Sequence, residues 1–155
     1  MRPVQFTLNG KKVVAEVGAT DRLLDVLRDR FGCTEVKEGC GEGECGACTI
    51  LLDGLPVTSC ILFAAQVNDR NITTVAGIPD DRMRAIESAL SDEHGVQCGF
   101  CTPGFVLTIH SLLEQGDTLN RAEIQRALSG NLCRCTGYER IFRAVERLMT
   151  VGGGR

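Results

Sequence analysis

Glu38-Gly39-Cys40-Gly41-Glu42-Gly43-Glu44-Cys45-Gly46-Ala47-Cys48-Thr49 packs three cysteines and four glycines into twelve residues. The run has no apolar period, so it reads as a loop rather than a helix or strand. Gly39, Gly41, Gly43 and Gly46 let it bend sharply and bring backbone amides close to the sulfurs, because glycine takes positive φ and admits close approach. Three thiolates then converge from one side on a common centre. A fourth, Cys60, follows a strand, a turn at Asp53-Gly54 and a second strand, so a hairpin carries it back to the loop.

The spacing of this set is C-x4-C-x2-C-x11-C. Its first three cysteines have the plant-type [2Fe–2S] spacing. A structural zinc site also takes four cysteines, but usually as two short pairs. The layout here is three plus one, which favours the two-iron centre.

Outward from the loop, the first half reads as strands and one helix. Val4 to Leu8 alternates, Asn9-Gly10 marks a two-residue hairpin turn, and Val13 to Val17 returns. Thr20 is the expected N-cap of a helix whose stripe is Leu23, Leu24, Val26 and Leu27, ending near Gly32. Strands resume at Thr49 to Leu52 and near Val57, and Ile72 to Val75 closes the half. A mixed sheet crossed by one helix is a β-grasp pattern. Gly77-Ile78-Pro79 is the expected boundary, and the pattern beyond it is helical. The apolar stripes predict a first helix over Met83 to Leu90 and a second from Pro103, at its N1 position, to Gln115 with Gly116 as its stop. A third helix opens on an Asn120/Glu123 capping box and ends near Gly130, and a fourth covers Tyr138 to Met149. The expected division is residues 1–76, residues 77–150, and a disordered tail at 151–155.

The helical half carries Cys98, Cys101, Cys133 and Cys135, spaced C-x2-C-x31-C-x-C. These are two pairs, so spacing alone leaves zinc a serious rival here. A single residue between Cys133 and Cys135 gives little room to wrap one ion, and suits a larger two-iron core better. Each pair precedes a predicted helix, whose free N–H groups and positive dipole end favour an anionic thiolate cluster.

Composition narrows the field. The 155 residues carry a net charge of −3, with no Trp and one Tyr, which argues against nucleic-acid binding. The opening Met1-Arg2-Pro3-Val4-Gln5-Phe6 leads straight into a strand pattern, with no signal peptide or bilayer-spanning stretch. A reducing, cytoplasmic setting is therefore expected, where cysteines serve as metal ligands more often than as disulfides. Nine is also an odd number, so disulfides alone would leave one cysteine over.

Three blocks carry a resemblance. Glu44-Cys45-Gly46-Ala47-Cys48-Thr49, Gln97-Cys98-Gly99-Phe100-Cys101-Thr102-Pro103-Gly104 and Gly130-Asn131-Leu132-Cys133-Arg134-Cys135-Thr136-Gly137-Tyr138 together resemble the small iron–sulfur subunit of the xanthine oxidase, or molybdenum hydroxylase, family. The resemblance runs from residue 4 to about 149. It implies an α+β chain: an N-terminal β-grasp, plant-type ferredoxin-like domain followed by a C-terminal four-helix-bundle domain with the second [2Fe–2S] cluster. It also takes zinc at the second site from serious rival to outsider. Cys33 departs from the pattern and reads as a spare thiol buried as a small apolar residue.

The resemblance further implies a role and partners. Family members oxidise a substrate at a molybdopterin site on a large subunit, and electrons pass singly through two [2Fe–2S] clusters, usually to FAD on a medium subunit. The helical-domain cluster is implied to lie nearer the molybdopterin. Gln97 and Cys135 match positions that hydrogen-bond the pterin. Arg134 reads as a surface residue, and His94 and His110 as structural. No acid, base or nucleophile stands out as catalytic, so the chain is expected to turn over no substrate alone. Purines, aldehydes, N-heteroaromatics, acyl-CoA thioesters and carbon monoxide are all handled in the family, and selection rests with the large subunit. The competing readings are a diffusible ferredoxin and a zinc-stabilised interaction module.

Overall fold

The computed structural model describes residues 1–152. Strands β1 (Arg2–Leu8) and β2 (Lys11–Val17) pair antiparallel with Phe6 opposite Val13. Their turn holds Asn9 at φ 49° and Gly10 at φ 79°, the left-handed pair a two-residue hairpin requires. Alternation sends Val4, Phe6, Leu8, Ala15 and Val17 inward. β3 (Thr49–Leu52) and β4 (Leu55–Thr58) form a second hairpin through Asp53 and Gly54, and β5 (Asn71–Thr73) lies between the two hairpins. The sheet order is β2-β1-β5-β3-β4, with β1 and β5 parallel and the other pairs antiparallel.

The crossing helix differs from its expected form. Thr20 does not cap it. α1 spans Leu23–Asp25 after Arg22 and continues as a π-helical stretch over Val26–Arg30. The Leu23 amide donates to the Leu62 carbonyl at 2.8 Å, and Arg22 forms a β-bridge with Phe63, so the chain stays extended until Leu23. Asp21, not Thr20, turns the entry, by accepting from the Gly18 amide at 3.0 Å. The stripe itself behaves as read: Leu23, Leu24, Val26 and Leu27 are all buried against the sheet.

Four helices follow: α2 (Asp80–Asp92), α3 (Thr102–Gln115), α4 (Arg121–Ala127) and α5 (Glu139–Gly152). α2 extends beyond its apolar stripe at both ends, with Asp80 and Asp81 in the first turn where negative charge suits the dipole. Gly116 ends α3 at φ 74°, and Asn120 and Glu123 form the reciprocal cap of α4. α4 stops at Ala127, short of Gly130, because residues 128–131 turn back towards the first cysteine loop. α5 takes in the first two residues of the expected tail, and 153–155 lie outside the described residues. Among the described residues no helix is long and apolar enough to cross a membrane.

Two apolar cores result. One lies between the sheet and α1, around Phe6, Leu27 and Ile50; the other lies among α2 to α5, around Ile86, Phe105, Ile109 and Val145. The halves are not beads on a string. Leu51 of β3 packs into the helical core, and the Ser111 hydroxyl on α3 donates to the Gly54 carbonyl at 2.8 Å. Buried Thr74 ties the connection down, exchanging hydrogen bonds with Asn9 at 2.8 and 2.9 Å and donating to Glu35 at 2.7 Å.

Candidate functional site

All nine cysteines are free thiols, and members of each expected set lie near one another: Cys40 against Cys45 with Ser59, beside Cys60, on the Cys48 carbonyl, and Cys98, Cys101, Cys133 and Cys135 around one cavity. In the first, Gly41, Gly43 and Gly46 take φ of 70°, 83° and 68°, so the loop curls back over its own sulfurs. Gly39 is needed for a different reason: a Cβ there would stand 2.8 Å from the Cys45 sulfur. Backbone amides point at sulfur, from Glu42 and Cys45 to Cys40 at 3.3 and 3.4 Å, and from Cys40 to Cys45 at 3.3 Å. These amides, that of Glu42 foremost, bring the Cys40 thiol down to about 7, which favours the thiolate a metal requires.

Cys48 and Cys60 sit deeper, both buried, and are held side by side because Ser59, next to Cys60, bonds the Cys48 carbonyl. Burial, with Cys48 alongside, pushes the Cys60 thiol up to about 11. Cys60 rides on a 3-10 turn after β4, and buried Ser59 fixes that turn by donating from its hydroxyl to the Cys48 carbonyl at 2.8 Å. The sequence reading passed over Ser59; its place immediately before a candidate ligand cysteine was the available signal. The first set thus has Cys40 against Cys45 and Cys48 beside the turn that carries Cys60.

The second set repeats this grouping on different architecture. The Cys98 and Cys135 sulfurs are 3.5 Å apart, and Cys101 and Cys133 line the same small cavity beside them. Cys101 is the N-cap of α3, and the 133–135 turn leads into α5, so both pairs stand at helix entrances. Burial, then Cys133, pushes the Cys101 thiol up to about 12. Burial also acts to raise Cys133, but the Thr136 hydroxyl, 3.1 Å from its sulfur, and nearby amides outweigh it and hold the thiol below its ordinary value. The Cys133 amide donates to the Tyr138 hydroxyl at 3.0 Å, which makes Thr136 and Tyr138 supports of this turn rather than bystanders.

The four sulfurs of the second set, together with Cys45, line a cavity of about 240 Å³. A larger one of about 470 Å³, between α2 and α3, is lined by Met83, Leu90 and Val106 and holds no cysteine. The two cysteine loops touch: the Leu132 amide donates to the Cys45 carbonyl at 2.9 Å, so a ligand candidate of one set is bonded to the neighbour of a ligand candidate of the other. The donor chemistry fits [2Fe–2S] centres, which need two thiolates per iron and amides to balance the cluster's charge.

Gln97 is exposed beside Cys98, and Cys135 and Arg134 are exposed on the same turn. Val96, Phe100 and Leu132 stand exposed around the second set, and Ile61 and Phe63 around Cys60. Large apolar side chains ringing a redox site are a partner-docking signal, unused in the sequence reading. His94 is exposed on the turn after α2, and His110 is buried with its Nδ1 unpartnered. Neither lies among the thiols. Cys33 is buried in the first core, to which Cys48 and Cys60 of the first set also belong, and its thiol lies 4.0 Å from the Phe31 carbonyl.

Residues 6–74 match the family model of a 2Fe-2S iron-sulfur cluster binding domain, and residues 74–146 that of a [2Fe-2S] binding domain. The nicotinate dehydrogenase small FeS subunit of Eubacterium barkeri is 45% identical over 144 residues, covering 92% of each chain. The nicotine 6-hydroxylase small subunit of Paenarthrobacter nicotinovorans is 44% identical, over 92% of this chain and 86% of its own. Among solved structures, a chain of quinoline 2-oxidoreductase from Pseudomonas putida 86 superposes with a TM-score of 0.89 at 39% identity, over 97% of this chain and 95% of that one.

Proposed function

We propose, for a chain that belongs to the small iron–sulfur subunits of the xanthine oxidase or molybdenum hydroxylase family, that its two thiol sets hold two [2Fe–2S] clusters in series. Cys40, Cys45, Cys48 and Cys60 hold the first, and Cys98, Cys101, Cys133 and Cys135 the second. The observation that carries this is the gathering of the cysteines in each half, Cys40 against Cys45 in the first loop and Cys98, Cys101, Cys133 and Cys135 around one cavity, with the two loops in direct contact through Leu132 and Cys45. The N-terminal unit, residues 1–76, is read as β-grasp, and the helical unit, residues 77–150, as a four-helix bundle.

Each bound cluster would accept and release one electron, which suits dividing a two-electron oxidation into single steps. The chain's own residues do the rest. Inward amides of the 40–45 loop and the Thr136 hydroxyl offset negative charge on the sulfurs. Burial of Cys48, Cys60 and Cys133 limits water at the inner pairs, and the outer pairs stay near the surface where electrons enter and leave. Gln97 and Cys135 are the residues assigned to the molybdopterin of a large subunit, and their exposure beside the second set supports this. The β-grasp cluster would then face the acceptor, FAD on a medium subunit. Nine free thiols suit a cytoplasmic setting.

The test is recovery of the tagged chain at native expression. A large molybdenum-containing polypeptide should come with it in fixed ratio. Recovery of the chain alone, cluster-loaded and able to reduce a soluble acceptor, would make it a diffusible carrier instead.

A further inference from the structure

Three backbone segments meet between the two thiol sets more closely than side chains permit. A Cβ on Gly46 would stand 2.2 Å from the Gly130 carbonyl oxygen, and one on Gly104 would stand 2.4 Å from the Gly46 carbonyl oxygen. Asn131 is seated at this junction, with 4% of its surface exposed. Its Nδ2 donates to the Gly46 carbonyl and to the Thr49 hydroxyl, both at 3.2 Å. Its Oδ1 accepts from the Thr108 hydroxyl at 2.8 Å, which orients the amide. One side chain therefore spans the first loop, β3, α3 and the turn that bears Cys133. The neighbouring Leu132 makes the direct link to the Cys45 carbonyl at 2.9 Å. A buried amide satisfied on both ends holds one geometry, because any shift strands a polar group away from water.

We propose that Asn131 is a positioning residue that sets the separation of the two thiol sets, and with it the coupling between the two clusters. The coupling part rests on the cluster assignment above; the positioning part does not. Asn131→Asp keeps the shape but cannot donate to Gly46 or Thr49, and sets a carboxylate against the Gly46 carbonyl. Thr108→Val keeps its volume and removes the orienting hydroxyl.

The experiment uses the full chain loaded with iron and sulfide, with three readouts: iron content, hydrogen exchange at the Leu132 amide, and the magnetic splitting between the two reduced clusters. That splitting falls steeply with distance. In Asn131→Asp, iron content should match wild type, exchange at Leu132 should rise roughly tenfold, and the splitting should shrink. Thr108→Val should move both in the same direction by less, and carries the test if the Asp variant does not fold. Asn120→Ala, which loosens the cap of α4 away from the junction, should lower thermal stability and leave the splitting unchanged. Wild-type exchange and splitting in a folded junction variant would overturn the proposal. If the wild-type chain takes up no iron, the cluster assignment fails, and exchange at Leu132 alone decides the positioning role.

Discussion

Single residues in this chain divide by whether they face a sulfur or a core. Cys33 faces a core: its thiol is 7% exposed and pushed up by burial, with Glu35 adding to the effect. Cys33→Ser should keep both clusters by iron and sulfide analysis and lower stability by about 1–3 kcal/mol, the cost of a poorly partnered hydroxyl. Cys45→Ser should lose the first cluster. Loss of iron in the Cys33 variant would mean the ligand sets are wrongly drawn. His110 is a second case. Burial, the main cause, holds its imidazole below the ordinary value, with Glu114 opposing and Arg82 assisting. The unfolded chain therefore binds a proton below about pH 6.5 that the folded chain resists. Stability is fully present above that pH and falls as pH drops towards the folded value. In denaturant unfolding between pH 7.5 and 5.5, His110→Phe should lose less stability than wild type on acidification; parallel curves would remove His110 as the cause. Gln97 faces the proposed cofactor. Gln97→Ala should keep both clusters but slow reduction of the second one on rapid mixing with substrate in the complex, and unchanged cofactor content and rate would deny the contact.

At the scale of elements, what could be read depended on whether the cause was local. Hairpin turns at Asn9-Gly10 and Asp53-Gly54 were legible because positive φ selects those residues. The α4 cap was legible because Asn120 and Glu123 satisfy each other's neighbouring amides within one turn. Asn120→Ala should cost about 1 kcal/mol in thermal or denaturant unfolding with the clusters retained; an unchanged midpoint would show the cap to be redundant. The entry and π-helical form of α1 were not legible. The entry depends on Leu62 and Phe63, some forty residues on, which hold Arg22 and Leu23 in a bridge. The same holds for the sites. Ligand spacing lies in the sequence, but the gathering of Cys98, Cys101, Cys133 and Cys135 around one cavity forms only when α3 and α5 pack. Ser59, Thr136 and Tyr138 could be suspected only as neighbours of the candidate ligand cysteines.

For the whole molecule, the two halves are joined by Leu51, Ser111 and Asn131, so the relative placement of the two thiol sets is part of the fold. A chain built to pass single electrons between fixed sites benefits from such a join, since electron transfer weakens steeply with distance. Resemblance across three blocks anticipated the α+β architecture and the family. The contact between the blocks could not be read from them, because Gly46 and Gly130 are 84 residues apart in sequence and their approach is a packing outcome. The central claim, two [2Fe–2S] centres on eight of nine cysteines, is tested most directly by metal and sulfide analysis of the purified chain together with low-temperature EPR after reduction. The account predicts about four irons and four inorganic sulfides per chain and two distinct spin signals; stoichiometric zinc with no EPR signal would contradict it.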